Sequence, residues 1–183
     1  LGMERVRWLP AEYTGRWITV NLADFRAVLY ERGTPVFETR AVIGKQYHET
    51  PLFADTMQYL VIHPYWNVPP SIVANEIAPK LRRDPGYLAR NHMERYDGGI
   101  RQTPGPWNSL GAFKFVFPNQ FNVYMHDTPS RSLFDRAERA FSHGCIRLQD
   151  PAGMAAALLA PQGWTRDSLA RVVERNTRTM VSL

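Results

Sequence analysis

Alternating apolar and polar residues predict β-strands through the first third of the chain. These segments are rich in β-branched and aromatic residues, and they cover residues 16–22, 25–30, 35–43 and 58–63. Turn-forming residues at 31–34 predict a hairpin between the second and third strands. A short lead-in helix, stopped by Pro10, is predicted for residues 3–10. The chain therefore begins as a β protein.

Helical patterns enter only after a proline-rich aromatic loop at residues 64–70. Ser71 is predicted to cap a helix that Pro79 interrupts and that continues unevenly over residues 81–91. Residues 96–99 (Y-D-G-G) are expected to be the least structured point of the chain.

Strands and helices are both predicted in the second half. Residues 113–117 and 122–125 alternate and predict a hairpin that delivers His126 at a strand end. An amphipathic helix is predicted over 130–140, and further helices start at the caps Asp150 and Thr165. Residues 179–183 read as a closing strand. The sum predicts a β-rich α+β fold.

Length and charge suit one globular domain. The 183 residues divide into a lead-in at 1–15 and a single domain at 16–183, for which we expect a monomer. The net charge of +5 favours acidic partners, but the basic residues are scattered and lack an RNA-binding signature, which argues against nucleic acid. No apolar run approaches the ~20 residues of a membrane span. No leader opens the chain, and Leu1 and Gly2 suggest a cloning remnant or the edge of an excised domain.

The single cysteine carries the strongest chemical signal. Cys145 follows His143 and Gly144, and His126 lies nineteen positions upstream. A thiolate nucleophile needs a proton acceptor and an electropositive site, which a histidine at a strand end can supply. Gly144 allows a tight bend that directs backbone amides at an oxyanion. Arg147 is a candidate to hold a substrate carboxylate, and the inferred reaction is acyl transfer through a thioester.

Two other readings of Cys145 remain open from the residues alone. A lone cysteine is most often a small buried apolar residue, although the polar S-H-G-C setting disfavours a purely structural position. His126, His143 and Cys145 with a water would also make a catalytic zinc site, but no fourth ligand stands out.

The spacing of these residues resembles a known family. A histidine, then S-H-G-C and an apolar residue, is similar to the signature of the L,D-transpeptidases, whose catalytic domain is called YkuD. Further stretches resemble the large Gram-negative branch, among them H-P-Y-W-N-V-P-P-S-I at 63–72, Q-T-P-G-P-W-N-S-L-G at 102–111 and Y-M-H-D-T-P at 124–129. The resemblance covers most of residues 16–160 and implies a β-sandwich of mixed sheets with peripheral helices.

The resemblance also implies roles for individual residues. Cys145 would be the nucleophile and His126 the general base, oriented by the backbone carbonyl of Asp127. His143 would line the site, and the amides of Gly144 and Cys145 would form the oxyanion hole. The expected substrate-lining residues are Trp66, Tyr124, Ser142 and Arg147.

The implied activity is attack on the L,D bond between diaminopimelate and D-Ala in a peptidoglycan tetrapeptide stem. D-Ala leaves, and the thioester passes to an amine, which gives a 3-3 crosslink when the acceptor is a second stem. L,D-carboxypeptidase activity, tethering of a protein amine, and a non-catalytic wall-binding module are the alternatives. No cofactor or metal is implied, carbapenem-type β-lactams are the expected inhibitors, and the expected location is the periplasm or cell envelope.

The chain departs from this branch at three places. The capping segment of large relatives is reduced to about a dozen residues around 89–101. We expect the sequence to correspond to the catalytic part alone, since members of the branch carry an upstream anchor and a peptidoglycan-binding domain and often continue beyond the strand predicted at 179–183.

Overall fold

The computed structural model describes residues 15–183, so the lead-in helix predicted for residues 3–10 lies outside the described part. Within that part, regular backbone hydrogen bonding follows the alternating sequence pattern. The strands are β1 Arg16–Asn21, β2 Arg26–Glu31, β3 Thr34–Gly44, β4 Tyr59–Ile62, β5 Trp66–Asn67, β6 Met93–Tyr96, β7 Gly99–Gln102, β8 Phe113–Val116, β9 Met125–His126, β10 Ala140–Ser142, β11 Ile146–Leu148 and β12 Thr179–Ser182.

Most strands belong to one mixed sheet. Its order is β1-β2-β3-β11-β9-β8-β4-β12, with β10 beside β3. The β9–β11 and β10–β3 pairs are parallel, whereas the other pairs of this sheet are antiparallel. The predicted β-rich α+β class is confirmed: mixed β-sheets with few, short helices.

A smaller lobe lies between β4 and β8 in the chain. Its sheet has the order β5-β7-β6. Three short helices, α1 Pro70–Ile72, α2 Ala78–Arg83 and α3 Tyr87–Arg90, accompany the sheet, with a π-helical turn at Val73–Ile77 between the first two. The lobe has its own apolar cluster of Val68, Ile77 and Ile100.

Two local predictions in this lobe are wrong. Ser71 does not cap the helix, which begins at Pro70 after Pro69 without a side-chain cap. At Pro79 the predicted interruption takes the form of a change in helix type: the π-helical turn at Val73–Ile77 comes directly before it, and the Ala78 amide donates to the Val73 carbonyl, five residues back. Residues 96–99 are the ordered turn of the β6–β7 hairpin rather than a loosely structured stretch.

The helix predicted over residues 130–140 is also wrong. Only a 3-10 turn forms, at Arg131–Asp135, and the chain then extends into β10 beside β3. Of the turn's residues only Phe134 is buried, and Arg131 is tied to the Gln149 carbonyl and to Asp127. Tertiary pairing has overridden the helical periodicity of an exposed segment.

The closing elements follow their predicted caps. Asp150 accepts a hydrogen bond from the Gly153 amide at the start of α4, Pro151–Leu159. Thr165 forms a capping box with Ser168 at the start of α5, Arg166–Glu174. The main core then gathers apolar side chains from α4, α5 and both halves of the large sheet, including Leu29, Leu60, Phe115, Leu148, Met154 and Leu169.

Candidate active site

Strand register brings the predicted catalytic residues to one face of the large sheet. In the parallel β9–β11 pair, Met125 is opposite Ile146, and both side chains are buried in the main core. Side chains alternate between faces along a strand. The opposite face of this pair therefore carries Tyr124, His126, Cys145 and Arg147. At a strand spacing of ~4.8 Å and a rise of ~3.3 Å per residue, Cys145 and His126 are diagonal neighbours about 8 Å apart at Cα.

His126 is buried and held in one orientation. Its Nδ1 donates a hydrogen bond to the backbone carbonyl of Asp127, which leaves Nε2 as the free acceptor. Burial, together with the positive charges of Arg147 and Lys114, lowers the pKa of His126 to about 3, against the opposing effect of the Asp127 hydrogen bond. The imidazole is therefore neutral at physiological pH and able to accept a proton.

The Cys145 thiol is partly exposed beside Tyr124. Its Sγ lies 4.0 Å from the Asn122 carbonyl oxygen. Burial raises the pKa of the thiol, while the Tyr124 backbone amide, Lys114 and Arg147 oppose that rise. The Tyr124 hydroxyl is hydrogen-bonded to the same sulfur, and burial followed by the thiolate charge raises the pKa of Tyr124. The resting pair is a neutral thiol and a neutral imidazole.

The loop before Cys145 is fixed by internal hydrogen bonds. The Gly144 amide donates to the Ser142 hydroxyl at 3.1 Å, and that hydroxyl donates to the Cys145 carbonyl at 2.5 Å. Gly144 has a φ of +108°, which side-chain-bearing residues rarely adopt. Ser142, predicted to line the substrate cleft, is only 1% exposed, and its hydrogen bonds serve the loop.

Thr50 ties this loop to the end of β3. Its hydroxyl donates to the Gly144 carbonyl at 2.8 Å and accepts from the Gly44 amide at 2.9 Å. Thr50 was not predicted as a site residue, because a lone threonine in a loop carries no signal for a partner 94 residues away.

His143 faces the small lobe. Its Nε2 lies 3.0 Å from Glu76 in the π-helical turn, and its ring is 4.9 Å from the ring of His48. Burial lowers the pKa of His143, and Glu76 opposes that shift. This side chain therefore links the loop before Cys145 to the small lobe.

The Asp127 carboxylate has a structural task separate from its carbonyl. It is buried and accepts from the amides of Ala112 at 2.8 Å and Thr128 at 2.7 Å, and it pairs with Arg131 at 2.5 Å. A side chain at Gly111 would collide with it. These bonds fix the segment that carries His126.

The two remaining predicted site residues, Arg147 and Trp66, lie in different sheets. Arg147 lies beside His126 in the strand register, and its Nε is buried without a hydrogen-bond partner among residues 15–183. Trp66 belongs to the second sheet, where it pairs with Gln102 and packs against the cluster of the small lobe. Its ring is thus placed by the lobe and not by the sheet that carries Cys145.

Lys114 was missed by the sequence analysis. It lies opposite His126 in the β8–β9 pair, and its Nζ is 3.9 Å from the centre of the Tyr124 ring. The signal was present in the F-K-F-V pattern, which buries Phe113 and Phe115 and turns the lysine to the other face.

Among residues 15–183, no three His, Cys, Asp or Glu side chains are grouped to hold a metal ion. No helix in that part of the chain has the length and apolar character to cross a membrane.

Comparison with known proteins identifies the class to which this fold and site belong. Residues 15–173 match the family model of YkuD, the L,D-transpeptidase catalytic domain, so the chain belongs to this family. It is 29% identical over 186 aligned positions to a Haemophilus influenzae protein named "Putative L,D-transpeptidase". The match covers 90% of this chain and 37% of that protein, so the chain spans just over a third of its relative.

Solved structures give a more distant likeness. An L,D-transpeptidase from Mycobacterium smegmatis is 16% identical, with 80% of this chain and 53% of that one covered and a TM-score of 0.46. The catalytic domain of the E. faecium L,D-transpeptidase, acylated by ertapenem, is 17% identical, with 79% and 88% covered and a TM-score of 0.39. The family assignment rests on the family model.

Proposed function

We propose that this domain is a peptidoglycan L,D-transpeptidase in which Cys145 is the nucleophile and His126 the general base. One observation carries the proposal: the register of β9 and β11 places both side chains on one face, in a chain matched by the YkuD catalytic-domain model. The substrate is the tetrapeptide stem, cleaved between diaminopimelate and D-Ala.

The first half-reaction is acylation of the thiol. His126 Nε2 takes the Sγ proton as the sulfur attacks the carbonyl carbon of the L,D bond. Because the pKa values of the two groups favour the neutral pair at rest, proton transfer accompanies the attack rather than preceding it. The imidazolium then protonates the leaving amine of D-Ala, and a thioester remains on Cys145.

The oxyanion of the tetrahedral intermediate needs hydrogen-bond donors. We assign this task to the Cys145 amide, and to the Tyr124 hydroxyl once the attacking sulfur no longer accepts its hydrogen bond. The Gly144 amide donates to the Ser142 hydroxyl within the loop. Gly144 contributes its left-handed turn instead. The buried, unpartnered Nε of Arg147 suits a substrate carboxylate.

The second half-reaction transfers the acyl group to an amine. His126 removes a proton from the acceptor amine of a second stem, and the thiol leaves, which yields a 3-3 crosslink. The small lobe, tied to the site through Glu76 and His143, is proposed to be the reduced cap. A function on peptidoglycan places the domain in the cell envelope.

The test is turnover of disaccharide tetrapeptides followed by mass spectrometry. We expect free D-Ala and a crosslinked dimer with the wild-type domain and neither with Cys145→Ala, whose fold should be unchanged. Undiminished D-Ala release by Cys145→Ala would refute the mechanism. Tripeptide without dimer would show that water is the acceptor.

Carbapenems give an independent test of the thiol. We expect meropenem to add one equivalent of mass to the wild-type domain and none to Cys145→Ala. An unmodified wild-type chain with a free thiol would contradict the assignment.

A further inference from the structure

A polar cleft lies next to the Cys145 face, and no step of the proposed mechanism uses it. Its volume is about 440 Å³, and its wall is formed by side chains of β4, β8 and the small lobe. Its lining includes Tyr65, Tyr96, Arg101, Lys114 and Arg178. Lys114 belongs to both regions, because it also contacts the Tyr124 ring.

The charge of this cleft is positive and only partly neutralised. Its lining contains three cations and no acidic residue. Arg101 is paired with Glu94 at 2.6 Å. Lys114 and Arg178 form no ion pair with any residue in 15–183; Arg178 is exposed and makes a 3.6 Å contact with the Met180 sulfur. Burial lowers the pKa of Lys114, the charge of Cys145 opposes that shift, and the positive charge of Arg178 adds to it. An anion placed between Lys114 and Arg178 would therefore be attracted by both.

One wall of the cleft is built to be rigid. The Arg101 guanidinium lies 4.2 Å from the centre of the Tyr65 ring and 3.8 Å from that of Tyr96. This stack joins β7 of the lobe to the loop after β4. A guanidinium held between two rings keeps its orientation and loses little side-chain entropy on binding a ligand.

We propose that this cleft is a subsite for a carboxylate of a peptide stem, with Arg178 and Lys114 as its counter-charges. The assignment rests on the proposed function, since it takes the ligand to be the peptide that reacts at Cys145. β8 is two strand spacings, roughly 10 Å, from β11, and β4 is three, roughly 14 Å. An extended peptide covers that distance in about three to four residues, which is the length scale of a stem.

The bound carboxylate could belong to the donor stem or to the acceptor stem, and steady-state kinetics distinguishes the two cases. In the donor arm, D-Ala release is followed as the tetrapeptide concentration rises. In the acceptor arm, the ratio of dimer to hydrolysed tripeptide is followed at fixed donor and rising acceptor concentration. We expect Arg178→Gln to raise KM about tenfold in one of these arms, with kcat within about twofold, and Arg178→Lys to recover most of the loss.

A modified ligand isolates the charge. A stem whose carboxylates are amidated should bind about tenfold more weakly to the wild type, and Arg178→Gln should add little further loss with that stem. Arg175→Gln is the matched control, because Arg175 is also exposed but does not line the cleft. KM values within twofold of wild type for Arg178→Gln in both arms would overturn the subsite.

Equilibrium binding keeps the subsite testable apart from catalysis. The tetrapeptide is titrated into Cys145→Ala and into the Cys145→Ala, Arg178→Gln double variant, and about tenfold weaker binding by the double variant is expected. Absence of D-Ala release by the wild type, with this difference in binding intact, would reject the proposed reaction and retain the subsite. Equal affinities of the two variants would reject the subsite even in an active enzyme.

Discussion

Burial of a neutral histidine makes the stability of this domain depend on pH. The pKa of His126 is about 3 in the folded chain and ~6.5 in the unfolded chain. Between these values the unfolded state binds a proton that the folded state does not. The contribution of the neutral His126 to the free energy of unfolding is therefore fully present above pH ~6.5 and is lost as the pH falls towards 3. The loss from His126 is about 2 kcal/mol at pH 5 and approaches ~5 kcal/mol below pH 3.

The variant His126→Asn isolates this effect. The asparagine amide can still donate to the Asp127 carbonyl, as Nδ1 does in the wild type, but it does not titrate. Urea unfolding of both chains at pH 7.5 and pH 5.0 gives four free energies of unfolding. The wild type should lose about 2 kcal/mol more than the variant between the two pH values, because every other titrating group contributes equally to both.

A difference below about 0.5 kcal/mol between the two pH-induced losses would refute the reasoning. It would mean that His126 is hydrated or protonated in the folded chain, and that its burial beside Arg147 and Lys114 does not hold it neutral. The general-base role would then need a different justification, since a protonated imidazole has no lone pair to accept the thiol proton.

Three further substitutions test how the site is held. Asp127→Asn should destabilise the fold by about 2–4 kcal/mol, because the buried carboxylate accepts two amide hydrogen bonds and forms an ion pair. The control Arg131→Gln, at the exposed partner, should cost below ~1 kcal/mol in the same urea titration. Equal costs would contradict the structural role of the Asp127 carboxylate. Gly144→Ala should cost about 1–3 kcal/mol from the positive φ alone and reduce D-Ala release, and full activity with unchanged stability would show the turn to be dispensable. Glu76→Ala should change the free energy of unfolding by less than about 1 kcal/mol yet raise the stem KM, because it removes the lobe's partner of His143; an unchanged KM would show that this link plays no part in substrate binding.

Three local sequence signals correctly predicted the structure that forms within a few residues of them. The 31–34 turn, the Asp150 cap and the Thr165 capping box are each encoded within a few residues, and each appears in the structure. The cap predicted at Ser71 failed locally, because the helix begins one residue earlier at Pro70. The larger failure came where a distant partner decides the structure. The 130–140 periodicity indicated a helix, but pairing of Ala140–Ser142 with β3 gave a strand.

The site divides in the same way. The H-x₁₈-C spacing and the S-H-G-C block indicated a thiol nucleophile and a base. The alternating pattern of residues 122–125 also predicted that His126 lies at the end of a strand. The contacts that fix the site come from far along the chain: Thr50 holds Gly144, Glu76 holds His143, and Lys114 faces Tyr124. A single side chain at a loop or strand position shows nothing of such partners until the sheet is assembled.

The sequence by itself determined the β-rich class, the family resemblance and the choice of Cys145 as the candidate nucleophile, because these depend on residue type, alternation and short spacings. The tertiary structure decided the electrostatics of the site. Burial and the charges of Arg147 and Lys114 lower the pKa of His126, and the cationic cleft lies beside this face. The reason is physical. Burial and the distance between charges set a pKa and an anion site, and both quantities exist only once strands distant in sequence lie side by side.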